Sequence, residues 1–219
     1  MKLWQKDKAS FKEVETFTVG KDREMDMYLA SFDVLGSLAH TTMLESVGLL
    51  TKEDLNVIKI ELKNIYQQIQ KGDFALQDNV EDIHSQVELL LTEKLGDVGK
   101  KIHSARSRND QVLVDVKLFL RNKIEQLVNA IQPFFKLLQQ QSEAFKNHLL
   151  PGYTHLQIAM PSSFGLWFGA YAESLVDDVI ILQSAYQIVN KNPLGSAAGY
   201  GSPFPINRTL TTELLGFAD

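Results

Sequence analysis

Apolar residues recur every three or four positions along most of the chain, and this spacing predicts a succession of helices. The first predicted helix runs from Asp22 to about Val47, with Gly48 as its stop. The second opens with a capping-box-like pair, Thr51 and Asp54, and ends at Gly72. Their predicted apolar positions are Met25, Leu29, Phe32, Leu35, Leu38 and Met43, followed by Leu55, Ile58, Leu62, Ile65 and Ile69.

The helices predicted further along the chain are longer. A third helix from about Glu81 to Leu95 precedes the break LGDVGKK, and the longest begins near Asn109 and reaches about His148. Another runs from about Pro161 to Val189 and starts with Pro and two serines, which favour a helix N-terminus. Such lengths indicate an all-α, elongated bundle whose apolar faces are covered by partner chains. We therefore predict a small N-terminal helical domain over residues 1–104 and an incomplete central helical-bundle domain over residues 105–219.

Beyond Val189 the pattern changes. The stretch NKNPLGSAAGYGSPFPINR is rich in Gly, Ser and Pro, which predicts an ordered loop. LTTELLGFAD then begins a helical pattern that stops without a visible cap, and this predicts a truncated chain.

Composition narrows the class of protein. The 219 residues are 44% hydrophobic and 22% charged, which is typical of a soluble globular protein. A net charge of -5 disfavours a general nucleic-acid binder, and the lack of cysteine excludes disulfides and thiolate metal sites. Because no signal peptide or membrane-spanning apolar run is visible, we expect a cytoplasmic protein without a membrane partner.

The loop KKIHSARSRNDQ, residues 100–111, is basic in an otherwise acidic chain. It leads directly into the longest predicted helix, whose first N–H groups and partial positive charge attract anions. Arg106 adds forked donors that match a carboxylate, and Ser107 and Asn109 add short polar groups. The alternative interpretation is a solvated basic turn in which a Ser or Asn caps the helix.

Two further loops carry polar or flexible residues. LLPGYTHLQIAMPSS, residues 149–163, contains Thr154, His155 and Gln157, and a histidine there can act as an acid or base or be purely structural. The third loop is the stretch NKNPLGSAAGYGSPFPINR, and its Gly195, Gly199 and Gly201 permit positive φ. Such a backbone suits either the close approach of a ligand or a tight structural corner. Neither GxGxxG nor GxxxxGK[ST] occurs, so a nucleotide site is disfavoured, and no histidine spacing supports metal catalysis.

Taken together, HSARSRNDQV at 103–112, PGYTHLQIAMP at 151–161 and NPLGSAAGYGSPFPINR at 192–208 resemble the argininosuccinate lyase family of the fumarase/aspartase superfamily. FDVLGSLAH at 32–40 and EDIH at 81–84 also fit that family. The chain departs from it with LWQKDK, where the family usually starts LWGGRF. The family signature GSSxMPxKxNP, which carries the catalytic serine, is absent, so the resemblance implies the N-terminal half of such an enzyme.

The resemblance implies cleavage of argininosuccinate to arginine and fumarate in arginine biosynthesis, without a cofactor or metal. It also implies a homotetramer around a twenty-helix bundle, with each active site built from three subunits. By motif, His155 matches the catalytic histidine. The implied substrate-binding residues are Thr18, Arg106, Ser107, Asn109, Thr154 and Gln157. The alternatives are another superfamily lyase, such as adenylosuccinate lyase, and a non-catalytic crystallin-like homologue.

Overall fold

The structure is a computed structural model that describes residue 17, residues 19–77 and residues 80–219. The predicted site residue Thr18 and the N-terminal LWQKDK stretch therefore lie outside the described residues. The helices are α1 (Asp22–Asp26), α2 (Ala30–Ser46), α3 (Lys52–Lys71), α4 (Ile83–Leu95), α5 (Asp97–Lys100), α6 (Arg108–Ala144), α7 (Phe164–Val189) and α8 (Arg208–Leu215). A 3-10 turn covers Lys101–His103, and two strands, β1 (Leu149–Thr154) and β2 (Gln157–Ser163), lie between α6 and α7.

The predicted all-α class is confirmed, since the described residues are mostly helical with one small antiparallel sheet. None of the described helices combines the length and apolarity needed to cross a membrane. The chain divides into two compact units. The first unit contains the described residues up to Phe119 together with Asn190–Asp219, and the second contains Leu120–Val189. The predicted division into residues 1–104 and 105–219 stays a prediction.

Helix α3 begins and ends where local chemistry predicts. The Thr51 hydroxyl accepts the Asp54 N–H at 3.1 Å, and Gly72 ends the helix at φ 77°. Its predicted apolar stripe faces the core of the first unit, where Ile58, Leu62 and Ile65 are fully buried. The same core contains residues of α2 and α4, namely Ala30, Val34, Met43, Leu44, Ile83, Val87 and Leu91.

The first predicted helix is wrong in two respects. It is broken after Asp26, so that α1 and α2 replace a single helix from Asp22. The predicted apolar face is wrong at Met25 and Leu35, which are exposed, whereas Met43 is buried in the core and Leu38 packs against it. The buried face of α2 also carries polar residues, which are Asp33, Ser37, His40 and Thr41. Asp33, Ser37 and His40 can be buried because distant residues supply their hydrogen bonds. The Thr41 hydroxyl donates to the Ser37 carbonyl of the same helix.

The C-terminal segment also differs from the prediction. Helix α8 has a cap at both ends, because the Asn207 side chain accepts the Leu210 N–H and Gly216 ends the helix at φ 63°. The missing cap inferred from LTTELLGFAD is therefore wrong. In the preceding loop, Gly195, Gly199 and Gly201 have φ of 95°, 112° and 80°, which confirms their predicted backbone role.

In the second unit, the predicted turn after α6 is a β-hairpin. β1 pairs antiparallel with β2 from Leu149↔Ser163 to Thr154↔Gln157, so Pro161 lies in a strand and does not begin a helix. The cap of α7 is Ser163, whose hydroxyl accepts the Leu166 N–H at 3.1 Å. The prolines are tolerated because Pro151 pairs with Pro161 in a sheet of only two strands.

Helix α7 runs antiparallel to the part of α6 in the second unit. Ser142 donates to the Gly165 carbonyl at 2.7 Å, and at the other end the Tyr186 hydroxyl donates to Glu125 at 3.0 Å. Much of the predicted apolar surface of this pair is exposed in the single chain. The exposed residues include Leu127, Phe134, Leu166, Trp167, Ile180, Ile181 and Ile188.

Candidate functional site

A cavity of about 320 Å³ in the first unit is lined by the start of α6 and the start of α4. Asn109 and Arg108, in the first turn of α6, form one part of its wall. Backbone N–H groups in a first helical turn favour bound anions. The other polar residues of the wall are Asp22, Asp26, Glu81, Asp82 and His84. The cavity therefore brings cationic and anion-binding groups next to several carboxylates.

Arg108 is a candidate site residue that sequence reasoning missed. Its guanidinium donates to Asp82 Oδ2 at 2.5 Å and to the Ser85 hydroxyl at 2.6 Å. Asp82 also caps α4, because its Oδ1 accepts the Ser85 N–H at 2.8 Å. Arg108 thus joins the starts of two helices at the cavity. The signal for it is its place as the second arginine of RSRND, directly before Asn109.

Behind the cavity wall lies a buried cluster of charged residues. His84 Nδ1 is 2.7 Å from Asp33 Oδ1, and the Gln111 side-chain amide donates to the same oxygen at 2.7 Å. His84 Nδ1 is also 3.5 Å from Asp115 Oδ2. The buried Arg106 guanidinium donates to the Ser37 hydroxyl at 3.1 Å. Since His84 also lines the cavity, this buried cluster supports the cavity wall.

The two carboxyl groups of the cluster have opposite pKa shifts. Burial, together with neighbouring Asp33, raises the pKa of Asp115 well above its ordinary value. Burial also acts to raise the pKa of Asp33, but His84 and Arg106 outweigh it and lower that pKa overall. The hydrogen bonds agree with these pKa shifts. Asp33 accepts two side-chain donors, whereas neither Asp115 oxygen has a hydrogen-bond partner among the described residues. Asp33 is therefore the ionised member of the pair.

The same residues have the spacing of a metal site. One ligand atom each from Asp33, His84 and Asp115 lies within 4.8 Å of the others. Arg106 acts electrostatically on both carboxyl groups, so their charge is already compensated by a fixed cation. A raised pKa at Asp115 also favours its neutral form, which is a poor ligand. These properties favour a hydrogen-bonded ionic cluster over a metal centre.

His155 lies at the tip of the hairpin in the second unit. The two loop residues between β1 and β2 are His155 at φ 50° and Leu156 at φ 64°. Such a turn normally uses Asn or Gly, and other residues at positive φ are strained. Thr154 and Gln157 pair directly beside them, and all four residues are exposed. Three predicted site residues therefore share one strained, accessible tip.

The structure groups the predicted residues in three places. Asn109 lines the cavity, and Ser107 caps the same helix by accepting the Asn109 N–H at 3.3 Å. Arg106 points into the buried cluster, where two of its nitrogens have no hydrogen-bond partner among the described residues. Thr154, His155 and Gln157 lie at the hairpin tip of the other unit. The substrate roles of these residues stay predictions.

A comparison with protein families identifies the class of this protein. The family model described as Lyase matches residues 7–218, so the chain belongs to the Lyase family. Among curated relatives, the argininosuccinate lyase of Bacteroides fragilis is 67% identical over 216 residues, which are 99% of this chain and 48% of that protein. The argininosuccinate lyase of Thermotoga neapolitana is 39% identical over 217 residues and 54% of its length. The chain thus spans about half the length of the curated relatives it matches.

Solved structures show the same fold. A variant of EDDS lyase with bound fumarate matches 97% of this chain and 42% of its own, with a TM-score of 0.76 and 26% identity. The fumarate lyase:delta crystallin of Brucella melitensis bound to cobalt matches 88% of this chain and 47% of its own, with a TM-score of 0.74. At 17% identity, the second likeness concerns the fold alone.

Proposed function

We propose that the complete protein is an argininosuccinate lyase, which splits argininosuccinate into arginine and fumarate by β-elimination. The observation that carries the proposal is the cavity at the start of α6, where Arg108 and Asn109 meet several carboxylates. Argininosuccinate has three carboxylates, an ammonium group and a guanidinium group, so it needs groups of both charges around it. The 63–67% identity to curated argininosuccinate lyases of Bacteroides and related genera supports the same substrate.

The chemistry accounts for the types of residue. In a β-elimination, a base removes a carbon-bound proton next to a carboxylate, and the electron pair moves into that carboxylate. Collapse of this intermediate breaks the carbon–nitrogen bond while an acid protonates the departing guanidinium nitrogen. Fixed donors at a helix N-terminus stabilise the charge that develops on the carboxylate. Asn109 and Ser107 are the proposed donors, with Arg106 and Arg108 supplying positive charge close by.

We assign the acid–base part of the reaction to the hairpin tip. His155 acts as the acid or assists the base, and Thr154 and Gln157 contact the substrate beside it. In the family the favoured base is a serine in GSSxMPxKxNP, a motif that these 219 residues do not contain. We therefore expect the 219-residue chain alone to release no fumarate, although it contains the proposed carboxylate-binding residues.

The proposal includes assembly and location. Exposed apolar residues on α6 and α7, such as Leu127, Phe134 and Ile181, suit burial against other copies of the chain. We propose a cytoplasmic homotetramer in which each active site takes its loops from different subunits. Thr18, matched by the resemblance alone, would contact substrate from the N-terminal segment.

A substrate panel tests the proposed function. An enzyme of the relatives' full length that contains this chain would be offered argininosuccinate, adenylosuccinate, malate and aspartate, and fumarate would be followed by its ultraviolet absorbance. We expect fumarate and arginine in equal amounts from argininosuccinate alone. Preference for adenylosuccinate would indicate the other lyase, and a folded protein without turnover on any substrate would indicate a crystallin-like homologue.

A further inference from the structure

One carboxylate connects two loops that are far apart in the sequence. Asp110 is fully buried, and its Oδ1 accepts the Ser107 N–H at 2.8 Å. Its Oδ2 accepts the N–H groups of Gly195 and Ala197 at 3.0 and 2.9 Å. Three backbone donors therefore converge on one side chain, which joins the start of α6 to the Gly-rich loop before α8.

On the helix side, Asp110 completes a capping box. Ser107 accepts the Asn109 N–H, while the Asp110 carboxylate reaches back to the Ser107 N–H. This reciprocal pair fixes the first turn of the helix. Arg108 and Asn109 lie within that turn and line the cavity. The direction of their side chains thus depends on the backbone that Asp110 holds.

On the loop side, the backbone is shaped to meet a single oxygen. Gly195 has φ 95°, and a Cβ there would lie 2.8 Å from Arg208 Cγ and 2.9 Å from Ile206 Cδ1. Ala197 has φ 50°, which is strained for a residue with a side chain. The loop is also held by Arg208, whose Nε donates to the Leu194 carbonyl at 3.0 Å. This anchoring makes the loop a rigid support for the start of α6.

We propose that Asp110 is a positioning residue for the lyase reaction: by binding the N–H groups of Ser107, Gly195 and Ala197, it holds Arg108 and Asn109 in place at the cavity. This role rests on the proposed function. A carboxylate suits the position because all three partners are donors, and an ionised oxygen forms stronger hydrogen bonds than a neutral one. An asparagine would turn an amide NH₂ towards at least one of these donors. The Gly-rich loop thereby acts as a support and needs no substrate contact of its own.

The test compares Asp110→Asn and Asp110→Glu with the control Asp54→Asn. Asp54 occupies the equivalent place in the first turn of α3 and bonds Lys101 at 2.6 Å. Amide hydrogen exchange at Gly195 and Ala197 measures the contact, and kcat and KM for argininosuccinate in the complete enzyme measure positioning. We expect Asp110→Asn to expose both amides and lower kcat/KM by about 10²-fold, as small misplacements of binding groups do. Asp110→Glu should recover part of the amide protection and part of kcat/KM. Asp54→Asn should change neither the amide protection nor kcat/KM.

Gly195→Ala provides a second route, should Asp110→Asn fail to fold. It moves the loop without altering α6 and should lower kcat/KM in the same way. Unchanged kcat/KM in a folded variant whose two amides have lost protection would overturn the positioning role. If the Gly195 and Ala197 amides stayed protected in Asp110→Asn, their hydrogen bonds to the Asp110 carboxylate would be contradicted. A wild-type enzyme without turnover would refute the proposed function and with it the positioning role, whereas hydrogen exchange would still decide the structural contact.

Discussion

At the scale of single residues, the buried cluster contains two carboxyl groups with opposite demands. Asp33 is ionised, and it is bonded by His84 and Gln111 and lies near the Arg106 charge. Asp115 lies in the same interior without a hydrogen-bond donor among the described residues, and its pKa is raised. Removing the charge of Asp33 takes a carboxylate away from the buried Arg106. Asp115→Asn removes a carboxyl group whose raised pKa already favours the neutral form.

We therefore expect Asp115→Asn and Asp33→Asn to have opposite effects on stability at neutral pH. A group whose pKa rises on folding stabilises the protein below its unfolded pKa and loses that contribution as pH increases. At pH 7 the raised pKa of Asp115 therefore costs the folded state stability. Asp115→Asn should stabilise the chain at this pH, because it removes that cost and supplies an NH₂ donor. Asp33→Asn should destabilise it by about 3–5 kcal/mol, as breaking a buried ion pair does. Urea unfolding at pH 7 measures both, and equal destabilisation by the two variants would contradict the assignment.

His40 predicts a separate dependence on pH. Burial, with the positive charge of Arg106, lowers the pKa of His40 to about 3, and its Nε2 lies 2.8 Å from the Ser104 carbonyl. The folded state keeps this ring neutral while the unfolded chain takes up a proton below about pH 6.5. Stability should therefore decrease by about 2 kcal/mol between pH 6.5 and pH 4.5 on account of this group.

The variant His40→Gln should remove this part of the pH dependence, whatever fixed loss of stability it brings. His148→Gln, which replaces an exposed histidine, serves as the control and should leave the slope unchanged. The measurement is the urea midpoint at several pH values between 7 and 4.5. An unchanged slope in His40→Gln would show that another group is responsible.

At the scale of secondary structure, signals close in sequence were predictable and distant partnerships were not. Thr51 and Gly72 fix α3 through contacts within a few residues, so its bounds followed from the sequence. The buried face of α2 could not be predicted from the sequence, because Asp33 pairs with His84 and Gln111, which are 51 and 78 positions further along the chain. The apolar pattern alone cannot show that such polar groups are satisfied inside the protein.

The hairpin between α6 and α7 was missed for a related reason. Its turn uses His155 and Leu156 in place of the Asn-Gly or Asp-Gly pair that marks such turns in sequences. The candidate site was partly predictable, since the motif RSRND points to Asn109, which lines the cavity. Arg108 is part of RSRND, but its place at the site depends on the cavity, which brings together residues distant in the sequence.

The hairpin tip leads to a prediction about Leu156. This residue is 99% exposed at φ 64°, so it contributes little packing and is strained. Leu156→Gly should relieve about 1 kcal/mol of strain and keep or raise the stability of the chain. Leu149→Gly, at an 80% exposed position of β1, should lower stability by about 0.5–1 kcal/mol because glycine weakens a strand. Thermal unfolding of both variants is the measurement, and equal losses would contradict the strain at the tip.

At the scale of the whole molecule, the proposed catalytic groups are divided between two compact units. The cavity with Asn109 belongs to the first unit and the tip with His155 to the second. The chain spans 48% of the length of the Bacteroides fragilis enzyme. Both groups act in one reaction only if the assembled enzyme brings them to the same substrate.

The most direct test of this account is the turnover of argininosuccinate by the complete enzyme with His155→Asn or Asn109→Ala. His148→Asn, in an exposed position outside the hairpin tip, is the control. We predict that each site variant lowers kcat by about 10²-fold or more, because one loses an acid–base group and the other a donor to the developing charge. The control should keep the wild-type rate. Near-normal rates in both site variants would contradict the proposed active site.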